Sequence, residues 1–334
     1  MTQVIAKSSG EAIQRGTPQG AIYLLLSLST AACGSVPGST VSSAGLGGET
    51  EGGAPRGETC VEGQGPECFR LGVLSEQGRG VKKDEARAAA LFAKACESGS
   101  AEGCFHLGVL HEQGRGVAKD EAFAVGYFSK ACELGNGAAC SDVGLLFAQG
   151  RGVQKDEARA EGYFTRGCDR GHAPGCSRLA AVLEQGSGAA RDGERVVGLL
   201  RKACDGGHAQ GCLDLAYRLA SGRGVAEDKK GAAGFFVQAC DHGSVPSCLT
   251  SGRLYEQGRD VAKDDARAAA LYERACSGGD AVGCFLLGVL FEEGRGVARS
   301  VARAAELRTK ACGAEGAPGC LLLADRLAEG AGAD

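Results

Sequence analysis

The sequence predicts an all-α solenoid, a stack of repeated helix pairs, and three observations predict it. Cysteines recur in pairs. The first of each pair falls at Cys60, Cys96, Cys132, Cys168, Cys204, Cys240, Cys276 and Cys312, the second eight positions later, at Cys68, Cys104, Cys140, Cys176, Cys212, Cys248, Cys284 and Cys320. Every step is 36 residues with no insertion or deletion, and a fixed period in this range marks stacked supersecondary units rather than separate globules. Between the cysteines, apolar residues fall at helical spacing and glycine returns at fixed phases.

Taken in order, the chain starts with Lys7 and Arg15 ahead of a short apolar run over 21–32, AIYLLLSLSTAA. The run is too short for a stable span and reads as a signal peptide over residues 1–33. Cys33 follows Ala31 and Ala32 directly, as in a bacterial lipobox, although Thr30 fills the slot where an aliphatic residue is usual. Lipidation of Cys33 accounts for the odd cysteine among 17. Ordinary cleavage nearby, leaving Cys33 free or trimmed away, is the alternative. Residues 34–59 are rich in Gly, Ser and Thr with almost no apolar side chains, so they are expected to form a flexible tether. The repeats fill residues 60–330, and 331–334 form a short tail.

Each unit reads as two helices. In helix A of the unit that starts at Gly103, Leu107, Val109 and Leu110 fall at helical spacing around Gly108. That phase is Gly or Ala in every copy (Gly72, Gly144, Ala180, Ala216, Gly252, Gly288, Ala324). Glycine inside a helix costs about 1 kcal/mol, so a close helix approach is expected there. Gly114, repeated in all eight copies, is the expected C-terminal cap. Gly116 serves the following turn, and Val117 is expected to tuck into the core. Asp120 stands just before the second apolar run and matches Asp84, Asp156, Asp192, Asp228 and Asp264, which predicts N-caps for helix B. Helix B is expected over about 121–133, with Ala124, Tyr127, Phe128 and Ala131 as its buried stripe and Gly135 closing it. Ser100, Asn136, His172, His208, Ser244 and Asp280 then stand where the next helix A needs its N-cap. Cys132 ends one helix and Cys140 begins the next, so a tight turn brings them within the roughly 5.5–6 Å Cα separation of a disulfide.

Composition limits the function. The net charge of −4 and the absence of Trp give neither a field nor a stacking platform for nucleic acid. The seven-residue spacer within each cysteine pair is not zinc-ligand spacing, and eight cytosolic thiol pairs would be unusual. The pairs therefore read as disulfides, in a compartment outside the cytosol.

The unit LGVLHEQGRGVAKDEAFAVGYFSKACELGNGAAC resembles the Sel1-like repeat. Its 36-residue period with paired cysteines is similar to the cysteine-rich bacterial type, the Helicobacter cysteine-rich proteins. The motifs that carry the resemblance are Leu107–Gly108, the Gly-Arg-Gly-Val at 114–117 and the cysteine pairs, and it covers about residues 60–330. It implies a right-handed αα superhelix related to tetratricopeptide folds, with seven helix pairs, a last helix A over 318–329, and Cys60–Cys68 pinning an extended N-terminal cap.

The resemblance also implies two kinds of function. Most such proteins are interaction scaffolds, while some cysteine-rich members carry a β-lactamase or penicillin-binding label. Serine β-lactamase chemistry needs Ser-x-x-Lys and Lys-Thr-Gly, and neither occurs here. Catalytic residues, a cofactor and a metal site are not expected. His172 and His208 share a phase and should lie near each other in capping slots, and His106 and His111 are five apart on one helix. What remains is the face that lines the groove of related superhelices. Its varied row is Arg70, His106, Asp142, Arg178, Asp214 and Thr250, with Tyr217 and Arg253 in the row three residues on. A solvated row of Gln77, Gln113, Gln149, Gln185 and Gln257 follows. These positions predict a groove for a protein or peptide partner, with no nucleic acid and membrane contact only through a lipid anchor. The expected protein is a monomer in the bacterial cell envelope, or secreted.

Overall fold

The computed structural model describes residues 60–61, 63–185 and 193–313. The leader, the tether, Cys33, Asp192, the last A helix, Cys320 and the tail lie outside the described residues. Within them the chain forms α-helices and no strand. The A helices are α1 (Gly65–Gln77), α3 (Ala101–Gln113), α5 (Gly137–Gln149), α7 (Ala173–Gln185), α9 (Ala209–Ser221), α11 (Val245–Gln257) and α13 (Ala281–Glu293). The B helices are α2 (Glu85–Glu97), α4 (Glu121–Glu133), α6 (Glu157–Asp169), α8 (Gly193–Asp205), α10 (Lys229–Asp241), α12 (Asp265–Ser277) and α14 (Val301–Gly313).

The boundaries follow from the capping residues. Asp84, Asp120, Asp156, Asp228 and Asp264 each accept a backbone N–H from the first turn of a B helix, which satisfies a donor that has no partner inside the helix. A helices stop where glycine turns left-handed, as at Gly114 with φ 70°. In α4 the terminal position is Leu134, and Gly135 takes the positive φ one step later, so this glycine shapes the turn rather than the helix end. Ser100, Asn136, His208 and Asp280 cap the following A helices through their side chains. Ser244 does not: its hydroxyl meets that of Ser247 at 2.7 Å and makes no capping bond.

Each helix packs on its neighbours in sequence, and the closest approaches between helices two apart all join A helices, α1 with α3, α5 with α7 and α7 with α9. The A helices therefore form the inner row of the stack. In four copies the small-residue phase sits under an aromatic ring of helix B. A Cβ at Gly72, Gly108, Gly144 or Gly252 would stand 2.4–2.8 Å from Phe92, Phe128, Phe164 or Tyr272. Ala124, Phe128 and Ala131 are buried with Val125, and Tyr127 is half-buried against the same core. Burying one such Phe contributes about 2–3 kcal/mol. Val117 packs against the core from its loop.

The loops after α3, α5 and α13 are latched to the repeat before them. Arg115 pairs with Glu85 at 2.8 Å and Glu76 at 3.0 Å. Arg151 repeats this with Glu121 and Glu112, and Arg295 with Asp265 and Glu256. Gly116, at φ +68°, lies so close to the Glu85 backbone that a Cβ would meet its carbonyl oxygen at 2.2 Å. Among the described residues, seven disulfides staple the N-terminal cap and the B helices α2 to α12 to the next A helix: Cys60–Cys68, Cys96–Cys104, Cys132–Cys140, Cys168–Cys176, Cys204–Cys212, Cys240–Cys248 and Cys276–Cys284, with Cα separations of 4.4–5.0 Å.

Candidate binding surface along the A helices

The inner row brings the varied residues into line, one per A helix, and the structure gives most of them partners within the chain. Arg70 is held by Glu67 on its own helix. His106 is half-buried, with its ring 5.2 Å from Phe69 and 5.0 Å from Phe92 and Glu76 at 3.9 Å. Burial lowers its pKa, and Glu76 and Glu102 partly restore it. Asp142 on α5 faces Arg178 on α7 at 3.8 Å. Burial pushes the Asp142 carboxyl up to about 6, Arg178 draws it back, and Glu112 adds to the rise. Asp214 on α9 accepts a hydrogen bond from Gln210 at 2.7 Å. Burial raises its pKa too, and the Gln210 hydrogen bond partly offsets the rise. Tyr217 is 56% exposed, edge-on to Phe236 at 5.1 Å, and Arg253 is exposed. The glutamine row stands exposed at the ends of the A helices.

Behind this row lie two Ser–His pairs. His172 Nδ1 meets Ser141 Oγ at 2.7 Å, and Ser177 Oγ meets His208 Nδ1 at 2.9 Å. Gly211 N–H also donates to His208 Nδ1, so that nitrogen is the unprotonated one. Burial pushes His172 down to about 4, aided by Arg178 and by the neighbouring His208. His208 is lowered by burial and then by Arg178. Ser141 has no exposed surface and Ser177 little, which makes these pairs packing joints rather than nucleophiles. Sequence reasoning missed them, although a signal was present. Ser141 and Ser177 replace the Phe or Leu of the same phase (Phe69, Phe105, Leu213, Leu249, Phe285) in the A helices one repeat before those that follow His172 and His208. Among the described residues, no three His, Cys, Asp or Glu side chains are placed to hold a metal ion, and no helix is long and apolar enough to cross a membrane.

Between α7 and α9 the inner face opens into a cavity of about 160 Å³ whose lining includes Ser177, Leu200, Asp214, Tyr217 and Arg218. Its walls supply the Glu184 and Asp214 carboxylates, the Arg218 and Arg223 guanidinium groups, an aromatic ring, hydroxyls and a short apolar floor, the mixture that orients one polar side chain.

Comparison with known proteins agrees with this architecture. No curated protein matches the chain in sequence. Among solved structures, the chain is similar to c5321, a protective antigen of uropathogenic Escherichia coli with an SLR fold, at 28% identity and a TM-score of 0.62 over 77% of this chain. It spans 55% of the length of that antigen. A Sel1 repeat protein from Oxalobacter formigenes is similar at 25% identity and a TM-score of 0.56, covering 64% of this chain and 86% of that one. Helicobacter pylori cysteine rich protein B matches at 27% identity and a TM-score of 0.32, over 40% of this chain and 96% of that one. The Sel1 repeat model matches seven consecutive segments, 68–100, 101–136, 137–172, 173–208, 209–244, 250–280 and 281–314. Each spans all or most of one A helix and the B helix after it, so the repeat read from cysteines and glycines is the Sel1 repeat, and the chain belongs to that family.

Proposed function

We propose that this chain is an envelope-tethered or exported scaffold whose inner A-helix row binds an extended or helical peptide segment of a protein partner. The Sel1 repeat fold serves protein interaction in general, and the disulfide ladder points to an oxidising compartment. The observation that carries the finer reading is the inner row itself. One phase of the repeat is varied and charged along successive A helices, while the packing phases are monotonous. A surface held by a disulfide at every turn is preorganised, so a docking segment costs little ordering of the scaffold. Residues 1–33 would direct export, Cys33 would carry the lipid, and 34–59 would hold the repeats away from the membrane as a monomer.

The test is capture of partners from an envelope extract by the oxidised chain and by Arg178→Glu, which reverses a charge at the middle of the row. Weaker capture with unchanged helicity and melting supports the reading. Identical partners at identical yield would place binding elsewhere. For the anchor, Cys33→Ser should move the protein from the membrane fraction to the soluble one.

A further inference from the structure

The junction between α7 and α9 departs from its neighbours at several positions that meet in the 160 Å³ cavity. Arg218 stands where the other A helices carry Leu74, Leu110, Leu146, Val182, Leu254 and Leu290, and it is only 7% exposed. A guanidinium in an aliphatic slot needs partners. It has an ion pair with Glu184 on α7, and its Nη1 donates to the Arg223 carbonyl at 2.9 Å.

In other repeats the carboxylate at the Glu184 phase receives the loop arginine of the following repeat, as Glu76 receives Arg115 and Glu256 receives Arg295. Here Arg218 takes that carboxylate, and the second acid of the latch is replaced by Gly193. The exchange neutralises Glu184 and leaves exposed Arg223 at the rim. The acid left over is Asp214. It is half-buried, its hydrogen-bond donor is the neutral Gln210, and among the described residues neither Arg218, which pairs with Glu184, nor Arg223 forms an ion pair with it, although both share the cavity lining. Arg178, one repeat earlier, leans to Asp142 instead. Three residues beyond Asp214, Tyr217 stands where the other A helices carry Val73, Val109, Leu145, Ala181, Arg253 and Val289. Phe236 packs edge-on against its ring and holds it in place.

We propose that this cavity is a cation subsite that takes the ammonium or guanidinium group of a lysine or arginine side chain, with Asp214 pairing the charge and the Tyr217 ring packing against it. A carboxylate short of a counter-charge beside an aromatic face is the chemistry that recognises such a group, and the volume suits one side chain. As a subsite for a peptide, it rests on the reading of the inner row given above.

The probes are N-acetyl-arginine amide and its neutral isostere N-acetyl-citrulline amide, titrated by NMR or calorimetry into the oxidised full chain. The arginine probe should bind about 10-fold more tightly. Asp214→Asn should remove that preference, Asp214→Glu should keep most of it, and Tyr217→Leu should weaken it about 3-fold. Equal affinity for the two probes, or a preference that survives Asp214→Asn, overturns the subsite. Adding Asp214→Asn to the partner-capture assay separates the two claims. If Arg178→Glu abolishes capture while Asp214→Asn changes neither probe binding nor capture, the subsite falls and the inner-row reading stands. If the arginine probe binds through Asp214 while Arg178→Glu leaves capture unchanged, the subsite stands and the inner-row reading falls.

Discussion

At Gly108 a hydrogen atom faces the Phe128 ring where any other side chain would begin with a carbon 2.7 Å away. Gly108→Ala gains helix propensity but overpacks a buried aromatic, so a net loss of about 1–3 kcal/mol is expected in urea melts. Gly126 in α4 has nothing within 4 Å of its would-be Cβ, so Gly126→Ala should stabilise by about 0.5–1 kcal/mol. Two glycines of one helix pair thus carry opposite signs. Charge behaves in a similar way. Asp142, held up at about 6 by burial against a free value near 4, favours the fold below about pH 4, and that contribution is lost as pH rises through 6. His172, pushed down to about 4 by burial against a free value near 6.5, favours the fold above about pH 6.5 and loses that contribution as pH falls towards 4. The two offset each other in between. Asp142→Asn should therefore be more acid-sensitive than the natural chain, and His172→Asn less so, each by about 1 kcal/mol between pH 7 and pH 5 after allowance for partial exposure. Thermal melts across that range are the measurement.

Among the elements, the latch arginine joins what the repeat divides. Arg151 reaches one acid on α3 and one on α4. Arg151→Ala should cost about 1 kcal/mol, given that both acids and the guanidinium are partly solvated. Hydrogen exchange should rise at the end of α3 and the start of α4, with α9 to α14 unchanged. The helices themselves were legible in the sequence because their ends are local chemistry. Asp120 caps and Gly114 turns left-handed whatever lies across the fold. The small-residue phase also announced a close approach, and the Phe128 ring provides it. The latch was not legible, because its partners lie 30 residues or more apart and pair only when loops stack. The candidate surface was read in part. The row was named, but its internal pairings were not, since Asp142 and Arg178 sit on different A helices and Arg218 breaks the apolar pattern at one helix alone.

Over the whole molecule, stability should be nearly a sum of units and their interfaces. Each disulfide closes a loop of eight residues, which by chain entropy contributes about 2.5 kcal/mol. A Cys132→Ala/Cys140→Ala double variant should lose about that much around α4 and α5. Repeats at the far end should keep their exchange protection, and uniform loss along the stack would refute the additive picture. The same short span has a further consequence. The sixteen ladder cysteines could combine into eight bonds on the order of 10⁶ ways. Yet each thiol finds its own partner eight residues away, while its nearest rival on the other side lies 28 residues off, as Cys132 does from Cys104. Loop closure favours the near partner by about 1 kcal/mol at every rung, before any helix has formed to guide it. A longer array would add rungs without adding a closer competitor, so the pairing puzzle that confronts a thiol-rich chain does not grow with its length.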